Sequence, residues 1–188
     1  MAEKPRRRRL SSEATEAFFT IRDPQNKHKT EIIEHFFKAY CSIILTRTSE
    51  IDYIDLYAGR GFYDSCGVDP SILGPVDATP LRILRAVIQN RNFSRCVTTW
   101  FNEADADYVR NLRAAVAGLD GIAALAHAPR ITDFEVSDEM AAQFRPNVPT
   151  FFFFDPYGYV GITQRLLRSA LTKSWGDAMS RYSSTTHA

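Results

Sequence analysis

The sequence predicts an α/β fold, a doubly wound parallel sheet with helices on both faces. Three observations predict it. Short apolar runs alternate along the chain with segments whose apolar residues recur at three- and four-residue steps, the rhythm of strand and crossover helix. An acidic residue stands at the end of each predicted strand, the edge at which such sheets bind ligands. The chain has 188 residues, of which 45% are hydrophobic and 12% aromatic, enough for one domain with a sizeable core.

From Lys27 onward, Ile32, Ile33, Phe36, Phe37, Tyr40, Ile43 and Ile44 have the spacing of a helix with one buried face. The cluster Lys27, His28 and Lys29 reads as its solvated first turn, or as a phosphate contact. Residues 51–57, IDYIDLY, form the first strand and break at Ala58 and Gly59. After a polar loop, Thr79 is a candidate N-cap with Pro80 at the first helical position, followed by Leu81, Leu84, Val87 and Ile88. Cys96 to Asn102 is β-branched and aromatic, a second strand, and the Ala-rich segment 104–117 places Val109, Leu112 and Val116 on one helical side. Gly121 precedes an apolar run over 122–126, expected to be the third strand. Ser137 is a candidate cap for the segment 137–144, Thr150 to Phe154 is a buried fourth strand, and a helix is expected over 162–174.

Charge and cysteine usage narrow the class. Lys and Arg total 23 against 22 Asp and Glu, but residues 1–9 hold five positive charges and one negative, leaving a mildly acidic body. Residues 1–20 are therefore expected to be a basic, disordered tail, and 21–188 a single domain. Arg6, Arg7, Arg8 and Arg9 could hold nucleic acid through its phosphates, or serve solubility alone. No stretch approaches the roughly 18 apolar residues needed to span a bilayer, and no apolar segment follows the arginines. Membrane and secreted classes are disfavoured. Cys41, Cys66 and Cys96 are odd in number and lack metal-ligand spacing, so a reducing cytoplasm is expected, with no metal.

The strand ends carry the functional signal. Asp55-Leu56-Tyr57-Ala58-Gly59-Arg60-Gly61 places an acid four residues before a Gly-x-Gly turn, where a backbone without Cβ atoms can approach a ligand. A dinucleotide fingerprint would want a third glycine where Asp64 stands, so NAD is disfavoured. Glu103 ends the second strand, and its carboxylate can accept both hydroxyls of a ribose. Asp133 follows the third strand after a short loop, within reach of an adenine amino group. Taken singly, Asp55 also reads as a strand-end cap, Glu103 as a helix N-terminal charge and Asp133 as a turn former. In sequence at successive strand ends, they outline one nucleoside site. The fourth strand delivers Asp155-Pro156-Tyr157-Gly158, which combines a carboxylate acceptor, a proline-fixed backbone and a ring for stacking a base. Its alternative is a plain Pro/Gly turn.

With these motifs in hand, the chain resembles the class I S-adenosylmethionine-dependent methyltransferases, and more closely the three-Cys-motif partner proteins. The resemblance spans roughly 27–180 and rests on NKHKTEIIEHFFKAY, YIDLYAGRGFYDS, DATPLRIL, FNEAD and FFFFDPYGYVGI. More distantly it is similar to the large-subunit ribosomal RNA adenine-N6 methyltransferases, with Tyr157 where their second proline stands. The resemblance implies a Rossmann-like sheet of the methyltransferase type, here C-terminally shortened, with S-adenosylmethionine as cofactor. It implies that Asp55, Gly59 and Gly61 line the cofactor's methionine part, that Glu103 holds its ribose, that Asp133 lies beside its adenine, and that Tyr57 also belongs to the cofactor site. It implies that Asp155, Pro156 and Tyr157 face a methyl acceptor, an amino group on a nucleic-acid base. It also implies a three-cysteine iron–sulfur partner protein, for which the chain would be a non-catalytic subunit under the alternative reading. The shortened sheet edge would then be a place for oligomer contacts.

Overall fold

The computed structural model of the protein describes residues 24–63, 76–156, 162–173 and 177–180. The basic run Arg6 to Arg9, Cys66, Asp64 and Tyr157 lie outside the described residues.

Helix α1 (Pro24–Ile44) begins three residues ahead of the expected start, on a proline whose missing N–H is no loss in a first turn. Its buried stripe is narrower than its apolar composition. Ile33, Phe37, Tyr40 and Cys41 are buried, whereas Ile32, Phe36 and Ile43, expected on the same face, are exposed. The first strand, β1 (Ile51–Asp55), leads to a small antiparallel pair, β2 (Phe62–Tyr63) with β3 (Val76–Asp77), and then to α2 (Thr79–Gln89). The N-cap of α2 is Ala78, not Thr79, and no side chain caps it; Thr79 and Pro80 are inside the first turn. A short helix α3 (Phe93–Cys96) precedes β4 (Val97–Asn102), and α4 (Ala106–Ala117) follows it. Asp105 caps α4, accepting from the backbone N–H groups of Asp107 at 2.8 Å and Tyr108 at 3.1 Å.

The third strand is not where the sequence suggests. The apolar run after Gly121 forms a 3₁₀ turn, Ile122–Ala124, and the strand is β5 (Arg130–Thr132). Gly121 has φ of 85°, and a left-handed residue there turns the chain away from an extended path. Segment 137–144 is a second 3₁₀ turn, Asp138–Gln143, with Ser137 at its N-cap position but no capping hydrogen bond. Then come β6 (Thr150–Phe154), α5 (Gln164–Lys173) and a fifth parallel strand, β7 (Asp177–Ser180).

The sheet runs β5-β4-β1-β6-β7, with every pairing parallel. Strand alternation divides its core in two. Tyr53, Phe101, Phe151 and Phe153 face α1, α2 and α4, while Ile54, Trp100, Phe152 and Phe154 face the 3₁₀ turn Asp138–Gln143 and α5. Helices thus cover both faces, as expected. Phe151 to Phe154 are each no more than 4% exposed, and burying a ring of this kind stabilises the fold by roughly 1.5–3 kcal/mol. Among the described residues, no helix is long and apolar enough to cross a membrane.

Candidate ligand site at the strand ends

The strand order reverses at the β1/β6 pair: the chain leaves β1 toward β4 and leaves β6 toward β7. Loops at such a point diverge and open a crevice at the carboxyl ends of the strands. A cavity of about 150 Å³ lies there, lined by Asp55, Tyr57, Gly59, Gly61, Tyr108 and Asp155 among others. The register aligns Asp55, the last residue of β1, with Phe153, so Asp155, just past β6, lies at the same edge of the sheet. By strand parity both acids point to the face covered by α1, because Tyr53 and Phe153 do.

Asp55 is only 1% exposed. Its Oδ1 accepts the backbone N–H of Tyr57 at 3.0 Å, and its Oδ2 has no partner among the described residues. Burial is the main force pushing its carboxyl up to about 8; the Tyr57 N–H opposes this, the charges of Asp155 and Glu103 add to it, and Lys29 opposes it again. The hydroxyl of Tyr53, one turn of the strand earlier on the same face, is likewise buried and unpartnered. Burial and the same two aspartates push that phenol well above its ordinary range. Burial also raises the Tyr57 phenol to about 12, so the hydroxyl is a donor at neutral pH.

Glu103 links two loops. Its Oε2 accepts the Gly59 N–H at 2.9 Å and its Oε1 accepts the Asp105 N–H at 3.0 Å. Each oxygen retains one acceptor position, so a diol still has two sites to bind. Next to it, Asn102 is fully buried; its Oδ1 accepts from Phe134 N–H and Thr132 hydroxyl, and its Nδ2 donates to the carbonyls of Leu56 and Phe134. This amide ties the ends of β1, β4 and β5 together. Asp133 follows β5 directly, without the expected intervening loop, and is exposed.

The two glycines of the turn have different reasons to be glycine. Gly59 has φ of 65°, and a Cβ built on it would meet nothing within 4 Å. Gly61 has φ of 91°, and a Cβ there would come 2.9 Å from Leu112 Cδ1. Packing of α4 thus gives Gly61 a reason of its own to lack a Cβ, while Gly59 opens onto free space among the described residues, and both line the cavity. Gly59→Ala is expected to lose about 1 kcal/mol through left-handed strain alone, and Gly61→Ala about 2–3 kcal/mol through strain and overpacking together. Urea unfolding midpoints of the two variants check this; equal losses would refute it.

Of the expected site residues, the cavity brings together Asp55, Tyr57, Gly59, Gly61 and Asp155. Glu103 is joined to it through Gly59, and Pro156 follows Asp155 half-buried, while neither Glu103 nor Asp133 lines the cavity. Tyr157 lies outside the described residues. Lys29 corrects the reading of a solvated first turn. Its ammonium pairs with Asp155 and its side chain is 18% exposed, whereas the His28 side chain is 74% exposed. The signal was legible: Lys29, Ile33, Phe37 and Tyr40 follow one another at helical steps, so the lysine begins the buried stripe. Comparison with known proteins finds no family model, no curated protein and no solved structure that matches the chain.

Proposed function

We propose that the chain is an S-adenosylmethionine-dependent methyltransferase of Rossmann-like type, acting on an amino group of a nucleic-acid base. The observation that carries this reading is the meeting, where the strand order reverses, of Asp55 with an unpartnered buried oxygen, the Glu103-held Gly59 turn and Asp155. The strand order supports it too, since in chain order the parallel strands run third, second, first, fourth, fifth.

The residues present suit the cofactor. Asp55 Oδ2 is a buried oxygen with no partner among the described residues, which becomes an acceptor when an ammonium draws the carboxyl into its charged form; the remaining acceptor positions of Glu103 suit ribose hydroxyls; Gly59 leaves room for close approach. When bound, the cofactor supplies a methyl group activated by a sulfonium. The chain's own part is positioning. Asp155 and the Pro156 carbonyl are acceptors for the N–H groups of an incoming amine, orienting its nitrogen, and the Asp155 carboxylate can take the proton that nitrogen releases. The cavity's aromatic wall, Phe62, Tyr63 and Tyr108, offers apolar surface to a planar base.

Calorimetric titration with S-adenosylhomocysteine tests the reading. Wild-type protein is expected to bind in the micromolar range, and Asp55→Ala to bind about 10- to 100-fold more weakly, the loss of a hydrogen bond to a charged group. Asp155→Ala should keep that binding and lose methyl transfer to RNA or DNA supplied with labelled cofactor. No binding to wild type overturns the proposal; binding with no transfer to any amine favours a partner subunit that keeps the pocket.

A further inference from the structure

Two independent patterns converge on Lys29. The helical stripe of α1 puts it in register with Ile33 and Phe37, which pack on the sheet, and strand parity puts Asp55 and Asp155 on that same face. The helix is tied to α2 by Glu34, which accepts from Arg82 Nε at 2.8 Å. The lysine is therefore held by a fixed helix beside Asp155, which lines the cavity, on a flexible four-carbon stem.

Among the described residues its ammonium has one partner. It pairs with Asp155 across 126 positions of sequence, while Asp55 Oδ2 stays unpartnered. An amine that uses Asp155 as its acceptor meets a carboxylate already engaged by a cation. Because the Lys29 side chain is 18% exposed, its head can swing out to water when something better fits.

We infer that Lys29 is a built-in counter-ion that caps the Asp155 end of the cavity, and that an incoming amine binds there only by displacing it. The identity of that amine rests on the methyl-transfer reading; the capping rests on the geometry alone. A stray monovalent cation or small amine gains only the carboxylate and competes poorly with a tethered ammonium. A planar base gains the aromatic wall as well, so the cap favours an exocyclic amine carried on a ring.

Lysine acetylation read by mass spectrometry tests the cap. Lys29 is expected to react at least about fivefold more slowly than Lys38, whose side chain is 43% exposed and pairs with Glu34 of its own helix. Asp155→Asn, which keeps the shape and removes the charge, should raise the Lys29 rate toward that of Lys38. Equal rates in the wild type, or no response to Asp155→Asn, overturn the cap. In a second arm, adenosine is titrated into wild type and Lys29→Met at saturating S-adenosylhomocysteine, or alone if that compound does not bind. The Met variant should bind adenosine about fivefold more tightly. Unchanged or weaker binding overturns displacement. Absence of S-adenosylhomocysteine binding to wild type sinks the methyl-transfer reading, and the acetylation rates still decide the cap.

Discussion

Asp55→Asn is expected to stabilise the fold at alkaline pH and to leave it unchanged in acid. The folded carboxyl titrates near 8 against an ordinary value of 3.8. Below about pH 4 both folded and unfolded chains hold the proton, and the residue makes no difference. Between those values the unfolded chain has released a proton that the folded chain keeps, so stability falls as pH rises, and the loss is complete above about 8. After allowance for relaxation and water entry, the full effect is on the order of 3 kcal/mol. Asparagine has the same shape, can accept the Tyr57 N–H through its carbonyl, and never ionises. At pH 8.5 the variant should melt about 5–10 °C above wild type, and at about pH 3 the two should coincide. Thermal unfolding followed by circular dichroism at both pH values measures this, and a difference independent of pH would refute it. The same residue is the proposed anchor of the cofactor, so the gain in stability should accompany a loss of S-adenosylhomocysteine affinity. A carboxylate kept protonated by burial until a cationic ligand arrives is destabilising in the free protein and useful in the bound one.

Arg145→Met is expected to destabilise the protein by about 3 kcal/mol, because it strands a buried charge. Asp52 lies on β1, three positions before Asp55, and its side chain is 7% exposed. Arg145, in the segment before β6, grips it with two nitrogens, Nε donating to Oδ2 at 2.8 Å and Nη2 to Oδ1, while Nη1 reaches Glu50 at 2.7 Å. If stranding is the cause, Asp52→Val together with Arg145→Met should restore most of the loss, since an apolar pair of similar size is tolerated where the ion pair stood. Urea unfolding of wild type, both single variants and the double variant closes the cycle. A single-variant loss below about 1 kcal/mol would show that the pair behaves as an exposed one. Asp52 and Glu50 stand at the opening end of β1 and Asp55 at its far end, so these variants should leave ligand affinity intact.

Much of the architecture is legible in short stretches of chain. Ile51 to Asp55, Val97 to Asn102 and Thr150 to Phe154 are apolar runs too short for helices and bounded by turn residues, and each is a strand. Leu81, Leu84 and Val87 announce α2, and Val109, Leu112 and Val116 announce α4, by spacing alone. The third strand escapes such a reading. Arg130–Thr132 is three residues long and only partly buried, so its composition carries little β signal, while the more apolar Ile122–Ala124 is turned into a 3₁₀ turn at Gly121. The acids at the strand ends were found as residue types, but what each one does depends on its neighbours in space. Glu103 holds the Gly59 turn, Asp155 holds Lys29, and Gly61 is required by Leu112.

The sequence by itself determined the class of fold, the main helices and three of the sheet's strands, and the edge of the sheet at which to look. It could do so because the periods of helix and strand are set by the backbone and repeat within a few residues. Only the tertiary structure decided which charges meet. Lys29 and Asp155 are 126 positions apart and Arg145 and Asp52 are 93, and nothing local to any of them names its partner. The order of the strands places β6 beside β1 and brings Asp155 to the edge where Asp55 is buried, and the packing of Ile33 and Phe37 on that face sets Lys29 of α1 against Asp155.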